Sequence, residues 1–368
     1  MFSQYILILI WIGVMAIMSN LIYMKQFEFV CGEKVERYRW LFAILIFVPI
    51  IWMAGNRGWF ADTGLYITNY QEMPSNLLEM PNYIANVSKD KGFSALSVIL
   101  KTILGSEYKP YLMVLAAFQG IALICFFRKY SPDYILSIFL FIASTDYLSW
   151  MFNGLRQFMA VTIILFATPL MLKKKYFPLI CVILFASTMH QSALLMIPFV
   201  IIAQGEAWNK KTLLFMVAIL LAVVFVEQFT NILDDTLSGT QYVNVVSDYT
   251  SWNDDGTNPL RVAVYSIPAI VSLLGKKRIQ AEHNLVINFC TNMSIISMGL
   301  YLISMVTSGI FIGRLPIYCS LFGYILLPWE INNLFTEDSK IIVYIGLYSV
   351  LLLFYIPELK GKDHGNKI

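Results

Sequence analysis

Apolar runs recur along this chain from residue 5 to residue 356, separated by short polar breaks. A run such as "LMVLAAFQGIALICFF" shows none of the two-residue alternation of a barrel strand. Continuous apolar stretches of this kind satisfy their backbone in lipid only as helices. The pattern predicts an all-α polytopic membrane protein with about twelve transmembrane segments, one integral domain over 1–368. They are placed near 3–24, 40–55, 110–127, 134–151, 155–172, 176–189, 192–203, 212–229, 260–274, 285–306, 311–329 and 341–356. The first run has no basic residue ahead of it and no small-residue cleavage site, so it is expected to be a first membrane helix. No internal repeat is evident, which disfavours a transporter built from duplicated halves.

Two stretches depart from simple spanning. Residues 56–109 are expected to form an external loop. Within it "FSALSVILKTIL" sets Phe93, Leu96, Ile99 or Leu100, and Ile103 at helical spacing. That piece is too short to span and predicts an amphipathic helix lying on the outer surface. Between "KKK" at 173–175 and "NKK" at 209–211 lie two apolar pieces split by "HQS". At 1.5 Å per residue each covers about 20 Å, less than the ~30 Å hydrocarbon layer. A pair of short, re-entrant helices near the outer face follows, with the His190–Gln191 tip below the surface beside protein or a watery cavity. Residues 230–259 are expected to form a second external loop, acidic and dotted with aromatics: a solvated connection or a sugar-binding cap.

Composition agrees with the pattern. Of 368 residues 58% are hydrophobic and 13% charged, against roughly 25% charged in soluble domains. Lysines and arginines divide the connections into two sides, one with 15 basic and 9 acidic residues, the other with 11 and 14. The basic side is cytoplasmic by the positive-inside rule, leaving both termini outside; the lysines in the tail "PELKGKDHGNKI" run against this. The formal charge of +3 gives no reason to expect a nucleic-acid partner. Five scattered cysteines and three dispersed histidines offer neither a disulfide framework nor zinc-ligand spacing. No phosphate-binding glycine loop, nucleophile elbow, HExxH or aspartate-rich pair is present, so metal-independent chemistry with no cofactor is expected.

Against the charge trend, Arg57, Arg156, Arg261 and Arg314 fall at outward helix ends, three of them beside glycines: Gly55 and Gly58, Gly154, and Gly309 and Gly313. Arginine suits phosphate because its planar fork donates two parallel hydrogen bonds and keeps its charge. The plain alternative is snorkelling to headgroups or pairing with an acid. In "NGLRQFMA", Asn153, Arg156 and Gln157 are three and four apart, on one helical face near a helix start that adds positive potential. Interhelical hydrogen bonding would use the same residues. Asp62, five residues after Arg57, is either its counter-ion or a base. Tyr66 and Tyr70 share a face suited to sugar stacking or an interfacial belt. Asp146 pairs with an arginine or simply ends a helix. His190 is a second candidate base, or a structural histidine.

These residues carry a likeness. "GNRGWFADTGLY" and "NGLRQFMAVTIILFATPLMLKKKYFPLICVILFASTMHQSALLMIPFVI" resemble the EpsG family of Wzy-like bacterial polysaccharide polymerases, with "GRLPIY" at 313–318 matching more weakly. Gly58 follows Arg57 directly, and Asp62 comes later than in the arginine–x–glycine–x–aspartate order expected of that family. The resemblance implies a GT-C-like fold in the bacterial cytoplasmic membrane, with its active site facing outside. It implies polymerisation of undecaprenyl-diphosphate-linked oligosaccharide repeat units into exopolysaccharide, capsule or O-antigen. An acceptor hydroxyl would attack the anomeric carbon and release the lipid diphosphate. Membrane lipids, a flippase and a chain-length regulator are the partners it suggests.

In that scheme Arg57, Arg156, Gln157, Arg261 and Arg314 hold the diphosphate. Asp62, His190 and Arg156 serve the chemistry, and Tyr66, Tyr70 and Asn153 the sugar. Fixed arginines favour a leaving group that gathers charge in the transition state. A flippase for the same lipid would show related halves and polar groups at both faces. An O-acyltransferase using His190 leaves the outward arginines unexplained, and so does a structural scaffold.

Overall fold

The structure, a computed structural model, describes residues 2–59, 62–146, 148–236 and 256–364. It divides into two compact units, Met1–Leu194 with Thr336–Ile368, and Leu195–Phe335. The expected outer loop over 230–259 falls largely on residues 237–255, outside the described ones.

The first unit opens with helix α1, Phe2–Leu21, and a β-hairpin, β1 Lys25–Val30 and β2 Glu33–Tyr38. The hairpin lies where the charge pattern suggested only a cytoplasmic loop. Its strands pair antiparallel from Lys25↔Tyr38 to Val30↔Glu33. The two-residue turn puts Cys31 (φ 53°) and Gly32 (φ 92°) in the left-handed region, as a tight hairpin requires. Then come α2 Trp40–Gly55, α3 Thr63–Glu72, α4 Met80–Asn86, α5 Lys91–Leu104, α6 Tyr108–Tyr130, α7 Tyr134–Ala143, α8 Leu155–Phe166, α9 Thr168–Leu172 and α10 Tyr176–Met189. The last helix, α18 Glu337–His364, returns to this unit. Polar ties join its helices: Tyr5 donates to the Ala143 carbonyl at 3.1 Å, and Tyr134 to that of Ala43 at 2.8 Å.

Arg128, at the end of α6, shows what a structural arginine looks like here. It is fully buried, forks onto both oxygens of Glu28 in β1, donates to the Tyr38 carbonyl at 2.6 Å, and lies 4.0 Å from the Trp40 ring centroid. The hairpin is thereby clamped to the helix ends.

The second unit holds α11 Met196–Ala203, α12 Lys210–Val224, α13 Val226–Thr236, α14 Pro259–Leu274, α15 Lys276–Glu282, α16 Leu285–Met305 and α17 Ile317–Leu334. The α16 helix is almost wholly buried. Its Asn288 and Asn292 accept from the backbone of Ala207 and Trp208 at 2.9 and 3.0 Å, fixing the turn before α12. An apolar cluster of Ile219, Ile303 and Ile312 fills the space between α12 and the end of α16.

Helix occupies each of the twelve apolar segments. Fewer of them are full-length spans than the apolar count suggests. By length and composition three described helices can cross a membrane alone, Gln4–Leu21, Tyr108–Tyr130 and Leu285–Met305. The pairs α12–α13 and α14–α15, bent by 106° and 72°, raise the number to five. The others are shortened by breaks that hydropathy does not register, such as the left-handed Thr145 (φ 62°) just after α7. The α5 helix forms as expected but is rotated: Phe93, Ser97, Val98 and Lys101 are buried, while Ile99 and Ile103 stay exposed. Lys101 turns inward because its ammonium caps the end of α3, donating to the carbonyls of Gln71 at 2.8 Å and Met73 at 2.5 Å.

Candidate active site around Arg57, Arg156 and Asp90

Arg57 lies just past the end of α2 and six residues before Thr63, the first residue of α3. It is 6% exposed. Its Nη1 donates to the Ala54 carbonyl and its Nε to Thr63 Oγ1 at 3.1 Å; Thr63 in turn donates to the Phe152 carbonyl at 3.1 Å. The guanidinium carbon lies 5.2 Å from the Phe152 ring centroid. Its Nη2 is buried and bonds to no described residue. No carboxylate pairs with it among the described residues, and burial pushes it down to about 10 from its usual 12.5. Asp62, read as either counter-ion or base, is exposed just before α3 and is not the counter-ion. The physical reason is local: Asp62 immediately precedes α3, and Thr63, the first helical residue, takes the inward place.

Phe152 and Asn153 close a single π-helical turn, Leu148–Asn153, and Gly154 caps α8 without a side-chain bond. Asn153 therefore lies outside the helix, and the expected helical face of Asn153, Arg156 and Gln157 is interrupted. Asn153 is half-buried, with an Oδ1 that accepts nothing from the described residues. Gln157 points into the core at 6% exposure. Arg156 remains half-exposed in the first turn of α8, where free N–H groups add positive potential.

Arg156 has a partner the sequence did not mark. Its Nη1 lies 2.9 Å from Oδ2 of Asp90, whose side chain is 3% exposed. Asp90 precedes α5 in a left-handed conformation (φ 55°, ψ 45°), and its Oδ1 is buried without a partner. Burial holds its carboxyl above the usual carboxylate range, against the pull of Arg156, Lys89 and a backbone hydrogen bond from Gln191. That last bond brings in the predicted hairpin tip. His190 ends α10 in extended conformation, half-buried, with Nδ1 2.6 Å from Ser192 Oγ.

Tyr66 joins the two arginines. Its ring centroid is 5.9 Å from the Arg156 guanidinium carbon, and its hydroxyl is hydrogen-bonded to Arg156 and acts electrostatically on Arg57. Tyr70, predicted as a sugar platform or belt residue, is instead core. It is fully buried, donates to the Gly105 carbonyl at 2.8 Å and stacks on Tyr111 at 4.1 Å between centroids. Asp146, just after the left-handed Thr145, is buried.

Arg261 and Arg314 belong to the second unit. Arg261 is half-buried, 5.7 Å from the Tyr265 ring centroid, and Arg314 is exposed in a 3-10 turn. Gly309, one of the glycines near Arg314, serves close packing: a Cβ there would meet the Gly256 backbone at 2.8 Å. Among the described residues no three of His, Cys, Asp and Glu gather as metal ligands.

The arrangement can hold an anion on one buried guanidinium and one accessible guanidinium, beside a buried carboxylate. The EpsG family profile matches residues 39–367, which include every one of these groups. The chain belongs to the EpsG family. No curated protein and no solved structure matches it. Within this EpsG chain the two motifs, around Arg57 and from Asn153 onward, come together through Thr63 and the carbonyl of Phe152.

Proposed function

We propose that this chain is a polysaccharide polymerase that joins prenyl-diphosphate-linked oligosaccharide repeat units at the outer face of the bacterial cytoplasmic membrane. The observation that carries this reading is Arg57: a buried guanidinium with no carboxylate beside it and one nitrogen without a partner among the described residues. An uncompensated buried cation is costly, and membrane proteins keep such groups chiefly on substrate paths. A phosphate oxygen meets both needs, charge and hydrogen bond.

In this reading Arg57 and Arg156 hold the donor's diphosphate. As the glycosidic C–O bond breaks, charge gathers on the departing phosphate, and both guanidiniums bind that state more tightly than the ground state. A leaving group of this kind needs little protonation, and the attacking hydroxyl needs at most a weak base. The unpartnered Asn153 Oδ1 is suited to accept from a sugar hydroxyl, and the half-exposed Tyr66 ring to lie against a sugar. Arg261 and Arg314 are candidates for lipid or diphosphate contact in the second unit. The reading carries with it about twelve crossings, many by short helices, and a GT-C-like plan. Undecaprenyl diphosphate as carrier, and a flippase and chain-length regulator as partners, follow from it as proposals.

Reconstitution with purified lipid-linked repeat units tests it. The expected result is a ladder of lengthened glycans with one lipid diphosphate released per linkage. Units that cross the bilayer without lengthening would make this a flippase and overturn the proposal.

A further inference from the structure

Asp90 stands behind Arg156. The carboxylate is 3% exposed and the guanidinium 28%, so an incoming anion reaches the arginine first. One hydrogen bond at 2.9 Å holds the pair, and the second carboxylate oxygen has no partner among the described residues. A diphosphate offers that guanidinium a two-point fork and more negative charge than a carboxylate does. The other candidate bases are less well placed: Asp62 is exposed on its turn, and His190 Nδ1 is engaged by Ser192.

We propose that the Arg156–Asp90 ion pair is an exchangeable lock on a catalytic base: the donor's diphosphate draws Arg156 away, and the released Asp90 takes the proton of the attacking acceptor hydroxyl. This rests on the polymerase reading. The acceptor oxygen forms a bond to the anomeric carbon, and the bond from that carbon to the phosphate oxygen breaks with its electron pair. The hydroxyl proton passes to Asp90 and then to solvent. Without donor, the base is tied up in its ion pair; with donor bound, it is active where the acceptor must attack.

The electrostatics run in the required direction. Burial already raises the Asp90 carboxyl, and Arg156 and Lys89 oppose that rise. Withdrawing Arg156 removes the larger of these opposing charges, so Asp90 binds a proton more readily. The helices that α5 packs against carry their own titratable groups, among them Tyr66 on α3, Tyr83 on α4, Tyr111 on α6 and His190 at the end of α10. Asp90→Asn tests the idea without threatening the fold, because asparagine tolerates the left-handed backbone at least as well as aspartate.

The experiment has two arms on the purified full-length protein. Inorganic pyrophosphate is titrated calorimetrically in two buffers of different ionisation enthalpy. Wild type is expected to take up a larger fraction of a proton on binding than Asp90→Asn, which retains binding. Equal uptake by both proteins, or no pyrophosphate binding by wild type, overturns the lock.

In reconstituted polymerisation, Asp90→Asn is expected to slow linkage formation on the order of 10²–10⁴-fold and to lose the fall in rate that wild type shows toward acid pH. A variant that binds the donor more weakly but keeps the wild-type pH profile would make Asp90 only a positioning residue for Arg156, overturning the base. If wild type forms no polymer yet shows Asp90-dependent proton uptake, the polymerase reading and the base both fail and the lock alone stands.

Discussion

Arg57 and Phe152 lie face to face, guanidinium carbon 5.2 Å from ring centroid, although 95 residues separate them (152 − 57 = 95). Thr63 locks the contact by accepting from one residue and donating to the other. The same π-helical turn that ends just past Phe152 leads directly into Arg156. The turn that packs on Arg57 is thus continuous in sequence with the helix that carries Arg156.

Arg57→Ala is expected to abolish long-chain product while the protein still reaches the membrane and remains monodisperse in detergent. Arg128→Ala is expected to do the opposite in order: the protein fails first. Breaking its buried fork to Glu28 should cost roughly 2–4 kcal/mol, less than a fully buried pair because Glu28 is partly exposed. Thermal melting monitored by size exclusion, beside glycan gels, separates the two. Equal stability losses in both variants would remove the distinction between a substrate arginine and a structural one.

Arg156→Lys is expected to lose at least tenfold in polymerisation rate with normal expression. An ammonium can hold Asp90 but cannot present two parallel donors to a diphosphate. Initial rates against donor concentration check it; near-wild-type activity would mean that charge alone suffices.

Tyr70→Phe should lower stability by about 1 kcal/mol, the net value of one buried hydrogen bond, and leave chain length unchanged. Tyr66→Ala, by contrast, should impair activity, because that ring touches Arg156. The two variants, compared by melting temperature and product ladder, distinguish a core tyrosine from a site tyrosine one helical turn away.

Acid should loosen the hairpin clamp. The Arg128 hydrogen bonds hold the Glu28 carboxyl below its usual range, outweighing burial, with Gln26 helping. Because the folded state binds this proton less tightly, the stabilisation is complete above the ordinary glutamate range. It fades as pH falls through the lowered value. Glu28→Gln should be less stable than wild type at pH 7, with the difference in melting temperature shrinking as pH falls below about 4. A difference that stays constant down to pH 3 would show that the charge is not what holds the clamp.

Much of this was legible in the apolar pattern. Each of the twelve runs is helical, and Arg57, Arg156 and the His190 tip emerged as exceptions to charge and length rules. Asp90 did not. In "SKDKGF" it sits between two lysines and reads as part of a solvated charge run. Only folding α5 back against α10, which brings Asp90 to Arg156, turns the carboxylate inward, and no local spacing encodes that. Tyr70 misled for the same reason. Its four-residue offset from Tyr66 places both on one helical side, but whether that side faces a cavity or Tyr111 depends on α6, some forty residues away. The hairpin is hard to read because its lysines and glutamates, which alternate with Phe27, Phe29 and Val35, also fit the charge pattern of a plain cytoplasmic loop.

Gly92 has a last consequence. A methyl group at that position would come within 2.1 Å of Thr188 Oγ1 and 2.9 Å of the Thr188 carbonyl oxygen, so α5 and α10 meet backbone to backbone. Any side chain at position 92 would push apart the segments that carry Asp90 and His190, so the missing methyl group is what lets those two groups stand in one neighbourhood.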